Sequence, residues 1–372
     1  MPKMHRETTY DRWMKDQHIP VVGGYGIEHV TDLPREPWAR LGCNGTFIKL
    51  EGMEGMTGMY VAEIPPGAAV EPEKHLYEEL FYILRGRGVS QVWNADAARK
   101  SSFEWQPGSL FAAPLNTLHA LYNGSGSEPA IFLGFTNAPL ILDVFHNPEF
   151  VFGCDYLFDE RYDGRANYFE PGDRQFDDLE RVWLWTANFV PDVRNAAVDM
   201  HESKGAGMRL TQCELGDGVI VAHIADWPAG VYQKAHHHAA GAVLLILRGQ
   251  GYTLMWPQEA GIRPYQAGHE DKVVKVDWQE GSVFSPPQGW FHQHFSTGLE
   301  PARQLAMRWG TRRYGVEFID VQRREGVFVS TKDGGTLIEY EDEDPEIGAL
   351  FVRECTKNSV HVRMPHLAAA VA

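Results

Sequence analysis

The sequence predicts an all-β protein with minor α content, built as two copies of one barrel or sandwich in tandem. Three observations predict it. The first is a long-range repeat: residues 83–93 read ILRGRGVSQVW and residues 246–256 read ILRGQGYTLMW, each with a tryptophan five residues after the second glycine. The second is order. WQPGS at 105–109 is answered by WQEGS at 278–282, and VAEI at 61–64 by VAHI at 221–224, in the same succession along each half. The third is local. VAEIPPG, LFYILRG, SLFAAP and AIFLGF are short apolar runs bounded by glycine and proline, which read as strands. Long helical periodicity is missing inside both copies, and many short strands with turn signals build sandwiches or barrels.

Taken in order, residues 1–40 are polar with some aromatics and read as an N-terminal arm packing on the barrels. The first copy spans 41–145. Residues 146–205 form a mixed inter-barrel segment, in which DDLERVWLWTANF reads as a short helix. The second copy spans 206–320 and carries about ten extra residues between Trp256 and Trp278. Residues 321–372 form a C-terminal extension whose acidic stretch TLIEYEDEDPE reads as a solvated loop.

Composition narrows the function. At 372 residues and 44% hydrophobic content, each half can bury its own core. A formal charge of −16 argues against nucleic acid and anionic membranes, both of which need a basic face. No apolar stretch has spanning length, and no basic-then-apolar leader opens the chain. Cys43, Cys154, Cys213 and Cys355 are scattered without a CxxC pair, which points to reduced thiols in a cytoplasmic protein.

The chemistry-bearing residues recur at matching places. With Gly67 aligned on Gly230, Glu73, His75 and Glu79 fall opposite His236, His238 and Ala242. All three positions in each copy have one parity, so a strand would aim them at one face. His237, of opposite parity, would face outward. Further on, His119 lies eleven residues after Gly108, and His292 eleven after Gly281. Pro114 with Asn116, and Pro287 with Gly289, suit a tight turn feeding the strand that carries each histidine. Each half therefore offers a candidate metal set: His75, Glu79 and His119 with Glu73 in the first, and His236, His238 and His292 in the second.

These motifs resemble the cupin signature, G-x5-H-x-H-x3-E-x6-G followed by G-x5-P-x-G-x2-H-x3-N, present twice as in a bicupin. The first copy matches at Gly67, His75, Glu79, Gly86, Gly108, Pro114, His119 and Asn123, and departs at Glu73 and Asn116. The second matches at Gly230, His236, His238, Gly249, Gly281, Pro287, Gly289 and His292, and departs at Ala242 and Ser296. The resemblance covers about two thirds of the chain. It implies two double-stranded β-helix (jelly-roll) barrels in tandem, each with a metal inside, and a homo-oligomer, dimer or higher.

Three histidines without a carboxylate resemble the iron centres of some cupin dioxygenases, including gentisate-type ring-cleaving enzymes. The reading that follows is an Fe(II) dioxygenase acting with O2 on a small aromatic or acidic substrate, with the second barrel as the iron site. Mn(II), Zn(II) or Ni(II) are the other candidate ions, and the oxygen-rich first site is the harder of the two. Arg308 is a candidate carboxylate receiver. His294 is a candidate pocket residue, and Trp290, Phe291 and Phe295 would form an apolar wall. Glu73 is either a fourth ligand or a base. Two rival readings stand beside this one: a redox-neutral decarboxylase, isomerase or lyase, and a non-catalytic ligand-binding bicupin.

Overall fold

The computed structural model describes residues 6–95, 100–178, 182–201, 205, 207–238, 241–314 and 329–367. Its strands form two pairs of facing sheets. In the first pair, a large sheet runs in hydrogen-bonded order Val21–Gly24, Cys43–Leu50, Gly58–Ile64, Ala130–Thr136, Glu79–Arg85, Leu110–Ala113 and Phe189–Val190. A smaller sheet of Leu118–Asn123, Gly88–Trp93 and Ser101–Trp105 faces it. The second pair repeats the plan. Its large sheet runs Arg174–Asp177, Val182–Thr186, Arg209–Glu214, Ile220–Trp227, Ala302–Trp309, Val243–Arg248, Val283–Phe284 and Gly26–Ile27. Its smaller sheet holds Val231–Tyr232, Phe291–Ser296, Gly251–Trp256 and Val274–Trp278. This is the jelly-roll architecture that the resemblance implies, laid down twice as the repeat predicts.

Side-chain parity divides the apolar residues between three cores. Phe81 and Ile83 point into the first barrel, while Leu80 and Tyr82 on the same strand point out of it. Leu244 and Ile246 likewise face the second barrel's interior, while Val243, Leu245 and Leu247 face out. The outward sets from the two large sheets meet in one shared core with Val61, Leu133, Ile224 and Leu305. The barrels thus pack back to back through strands that are apolar on both faces, which explains why those strands read as unbroken hydrophobic runs.

The repeat has a physical cause. Gly88 pairs directly with Trp105, and Gly251 with Trp278. A Cβ on Gly251 would lie 1.9 Å from Phe295 O and 2.6 Å from the Trp278 ring. The second glycine of ILRGxG is therefore bare because the tryptophan of WQxGS lies on it. Gly251→Ala should destabilise the fold by about 3 kcal/mol, the upper range for overpacking a filled core, measurable by chemical denaturation.

One repeat assignment is out of register. Val61 pairs with Leu133, which pairs with Tyr82; Ile224 pairs with Leu305, which pairs with Leu245. Val61 therefore corresponds to Ile224, at the same offset that relates the two ILRG motifs, and not to Val221. The VAxI match is a local coincidence slipped by three residues. An odd slip reverses which side chains face inward.

Two further expectations are corrected. Within DDLERVWLWTANF, residues 179–181 lie outside the described set, and Val182–Thr186 is a strand pairing in parallel with Arg209–Glu214. Its alternating burial, with Val182 and Leu184 buried between less buried tryptophans, is the period of a strand. The acidic stretch is not a solvated loop. Asp342, Glu343 and Asp344 are buried. Asp344 caps the helix Pro345–Lys357 by accepting from Glu346 N at 3.1 Å, and its other oxygen accepts from Gln266 N at 2.8 Å. Glu343 accepts from Tyr232 Oη and from Gln293 Nε2. Residues 315–328, part of the extension, lie outside the described residues. No helix among the described residues is long and apolar enough to cross a membrane.

Candidate metal centres

Both candidate sets converge. One ligand-type atom from each of Glu73, His75, Glu79 and His119 lies within 4.8 Å of the others, and the same holds for His236, His238 and His292. The expected single strand is not formed: Glu73 and His236 make isolated bridges, His75 and His238 lie outside the strands, and Glu79 opens the strand Glu79–Arg85. Glu73 is bridged to His119, and His236 to His292, by backbone hydrogen bonds in both directions. Asn116, which stands where the cupin pattern has glycine, has φ of +57°, and Gly289 has φ of +69°. Asparagine is one of the few residues that tolerate this left-handed backbone, so the turn feeding His119 survives the substitution.

The imidazoles are oriented by the backbone. His75 Nδ1 lies 2.8 Å from Tyr77 O, His119 Nδ1 3.1 Å from Thr117 O, His236 Nδ1 3.2 Å from Lys234 O and His292 Nδ1 3.1 Å from Trp290 O. A carbonyl only accepts, so each Nδ1 carries the proton and each Nε2 keeps its lone pair. That is how protein frames hold metal-binding histidines.

In the first barrel, Glu79 Oε2 lies 3.1 Å from His75 Nε2 and 3.7 Å from His119 Nε2. Glu79 Oε1 accepts from Tyr60 Oη at 2.6 Å. Burial pushes the Glu79 pKa up, but the His119 and His75 imidazoles beside it outweigh that and hold the group at about 2. Burial, followed by the charge of Glu79, lifts the Tyr60 pKa well above the phenol range, so Tyr60 remains a donor. The Tyr77 ring stacks on His75 at 3.5 Å and 6°. Arg40 binds one oxygen of Glu73, while the other lies 4.0 Å from His119 Nε2. His119 Nε2 itself is buried with no hydrogen-bond partner. An orphaned basic nitrogen among two carboxylates and a second imidazole fits a divalent cation. Glu78, adjacent to Glu79, points the other way and accepts from Val219 N and Ile220 N of the second barrel's strand.

Without a metal, His119 gains a proton more readily than usual. Burial disfavours its charge, but Glu79 and Glu73 outweigh that and raise its pKa. The sign of the linkage follows. In the metal-free protein this pairing stabilises the fold fully below the ordinary imidazole pKa of about 6.5 and is lost as pH rises through the raised folded value. A metal competes with that same proton, so first-site metal affinity should climb with pH over this window while the metal-free melting temperature falls. Paired thermal melts across pH 6–9, with and without added metal, test the crossing.

The second centre differs at two neighbouring ladder positions. Glu79 pairs with Thr136 in the first barrel. The equivalents in the second are Ala242 and Arg308, one step beyond the Val243–Met307 pair. A carboxylate has been replaced by a methyl group and a hydroxyl by a guanidinium. Arg308 has the inward parity of Ala306, its Nη1 donates to Trp309 O at 3.2 Å, and among the described residues no carboxylate pairs with it.

His294, inward like His292, sits one strand step deeper, with its ring 5.6 Å from that of His292. It lies outside the converging set. Trp278 Nε1 donates to Thr253 Oγ1 at 3.1 Å, and Thr253 Oγ1 lies 2.8 Å from His294 Nδ1. The expected aromatic wall is corrected: Phe291 and Phe295 have the opposite parity from His292, packing on Trp256 and Tyr252, and Trp290 meets Tyr25. His237 is half-buried against Phe291 and is not one of the converging imidazoles. Sequence reasoning missed Tyr60 and Arg40, which reach the first site from strands and turns far along the chain.

The interiors diverge beyond the ligands. Around the first site stand Phe47, Tyr60, Phe81, Phe132 and Leu121. The strand registers set Gln212, His223, Leu244, Gln304 and His294 at the same places. The first interior is filled with aromatic hydrocarbon; the second has lost rings and gained polar groups. The first is also covered from outside: Trp13 of the helix Thr9–Asp16 stacks on Phe152 at 5.7 Å, beside a narrow cavity lined by Arg40, Tyr60, Glu73 and Tyr77.

The chain is similar in part to several known proteins. Residues 52–144 match the family model described as Cupin. Auxin-binding protein T85 of Nicotiana tabacum is 25% identical over 108 residues, covering 27% of this chain and 58% of that protein. Auxin-binding protein T92 of the same plant is 24% identical over 128 residues, covering 33% and 68%. The chain thus spans little more than half the length of the first of these relatives. Among solved structures, a point mutant of Bacillus subtilis oxalate decarboxylase aligns with a TM-score of 0.49 at 12% identity, over 79% of each chain. Vicilin from Corylus avellana aligns with a TM-score of 0.47 at 11% identity, over 77% of this chain and 85% of its own. Residues 52–144 carry a cupin domain, and the chain as a whole has the cupin jelly-roll fold twice over.

Proposed function

We propose that the chain is a metal-dependent bicupin enzyme that turns over a small anionic substrate in its second barrel, as an Fe(II) dioxygenase using O2. One observation carries the reading: at equivalent ladder positions the second centre exchanges Glu79 for Ala242 and Thr136 for Arg308. His236, His238 and His292 would hold the ion as neutral donors, leaving its double charge uncompensated and one side open. Bound Fe(II) would supply the one-electron chemistry that O2 requires. The protein's own part is to hold the imidazoles by their Nδ1–H bonds, to receive a substrate carboxylate at Arg308, and to exclude water with the apolar walls Leu244, Phe284 and Met255. The first centre, with two carboxylates, suits a harder ion such as Mn(II) and is walled by aromatic rings.

A second reading has its own support. Glu73, held at one oxygen by Arg40 with the other near His119 Nε2, would serve as the base of a redox-neutral decarboxylase, isomerase or lyase. Oxygen-electrode assays on iron-loaded protein separate the two. Substrate-dependent O2 uptake supports the dioxygenase, and undiminished turnover under nitrogen replaces it with the redox-neutral enzyme. A protein purified without metal above trace amounts would favour the non-catalytic binder.

A further inference from the structure

The second barrel contains buried polar atoms that the metal set does not use. Trp227 Nε1, a donor, and Gln304 Oε1, an acceptor, are both buried without a hydrogen-bond partner, and their residues are only 3% exposed. Both side chains face the barrel interior, since their strand neighbours Ile224 and Leu305 belong to the core between the barrels. Trp227 pairs with Ala302 and Ala225 with Gln304, which makes Trp227 and Gln304 diagonal neighbours on one face. Such neighbours stand about 7–8 Å apart at the backbone, within reach of long side chains. The Trp227 ring lies 5.6 Å from His294, whose own ring lies 5.6 Å from His292. His294 lies one strand step below the three-histidine centre, and Gln304, four residues from Arg308 on one strand, lies two steps below, a backbone rise of about 13 Å of which the long Arg308 and Gln304 side chains can cover part.

Leaving a buried donor and a buried acceptor unsatisfied costs about 1–3 kcal/mol each. Their complement is a group that accepts one hydrogen bond and donates another. An alcohol hydroxyl does both. At the first barrel's equivalent positions, Ile64 and Phe132 present hydrocarbon alone.

We propose that Trp227 and Gln304 form a specificity subsite for a hydroxyl group at the end of the substrate remote from its carboxylate. The proposal rests on the reading of the second barrel as an anion-binding site. The substrate is then a short hydroxy acid. Its carboxylate lies at the level of Arg308 and the imidazoles, and its distal hydroxyl accepts from Trp227 Nε1 and donates to Gln304 Oε1.

The probes are butanoate, pentanoate, 4-hydroxybutanoate and 5-hydroxypentanoate, titrated calorimetrically under nitrogen into the metal-loaded protein. At least one hydroxy acid should bind tenfold or more tightly than the acid lacking the hydroxyl, because a site built to hydrogen-bond an OH rejects the analogue without it. Gln304→Leu and Trp227→Phe should each erase that preference while metal content, read by elemental analysis, stays at the wild-type level. Gln304→Leu keeps the side-chain volume close, so the test survives if the tryptophan variant misfolds. Equal binding of hydroxylated and plain acids overturns the subsite and leaves the anion site standing. If none of the four binds, the anion-binding reading has failed and the subsite falls with it. A preference that persists in Gln304→Leu also overturns the proposal.

Discussion

Replacing His236 and His238 together by alanine should abolish turnover, whereas replacing His75 and His119 together should leave it within about tenfold of wild type. The expected loss in the first variant is at least about a hundredfold, since changes that merely disturb the partners of metal-bound histidines already cost 10–100-fold. The asymmetry follows from the interiors. Both centres have converging donors, but the second is walled by fewer rings and more polar groups: Gln212, Leu244 and Gln304 stand where the first barrel has Phe47, Phe81 and Phe132. Steady-state rates and metal content of both variants check this. Loss of turnover in the His75 and His119 variant alone would move catalysis to the first barrel and favour Glu73 as base.

Arg308→Leu should lower kcat/KM for the anionic substrate about a hundredfold, with metal content unchanged. That is about 3 kcal/mol, within the 2–5 kcal/mol range for truncating one partner of a buried, hydrogen-bonded charge pair. Arg308→Lys should recover only part of the loss, because an ammonium keeps the charge without the planar fork that matches a carboxylate. Ala242→Glu approaches the same point from the other side. It restores a carboxylate beside Arg308 at the position Glu79 fills in the first barrel, so it should retain metal and weaken anion binding. If Arg308→Leu leaves kcat/KM unchanged, the guanidinium does not receive the substrate.

Much of the fold and both donor sets were legible because they depend on parity and turns, which are local. His236 and His238 share a face for the same reason as His75 and Glu73, the two-residue spacing of each pair. What could not be read depends on which strands become neighbours. VAEI and VAHI look equivalent, but the ladders to Leu133 and Leu305 slip them by three residues. Val182–Thr186 is a strand because Arg209–Glu214 lies beside it. The acidic run before Pro345 looks solvated until Gln266, Gln293 and Tyr232 supply donors. Tyr60 and Arg40 reach Glu79 and Glu73 across the fold, and no spacing announces them. Phe291 and Phe295 were placed by proximity to His292, where alternation along the strand sets them on its far face.

The central claim is that distant side chains in each half hold one cation in common, and that the cation in the second barrel is iron. The most direct measurement is a crystal structure of the anaerobically purified protein, with anomalous maps recorded across the iron and manganese edges. The account predicts an iron peak about 2.1 Å from the Nε2 atoms of His236, His238 and His292, a typical metal–imidazole length, and a separate peak among His75, Glu79 and His119. Water alone between the three imidazoles, or side chains splayed too far apart to share an ion, would contradict it.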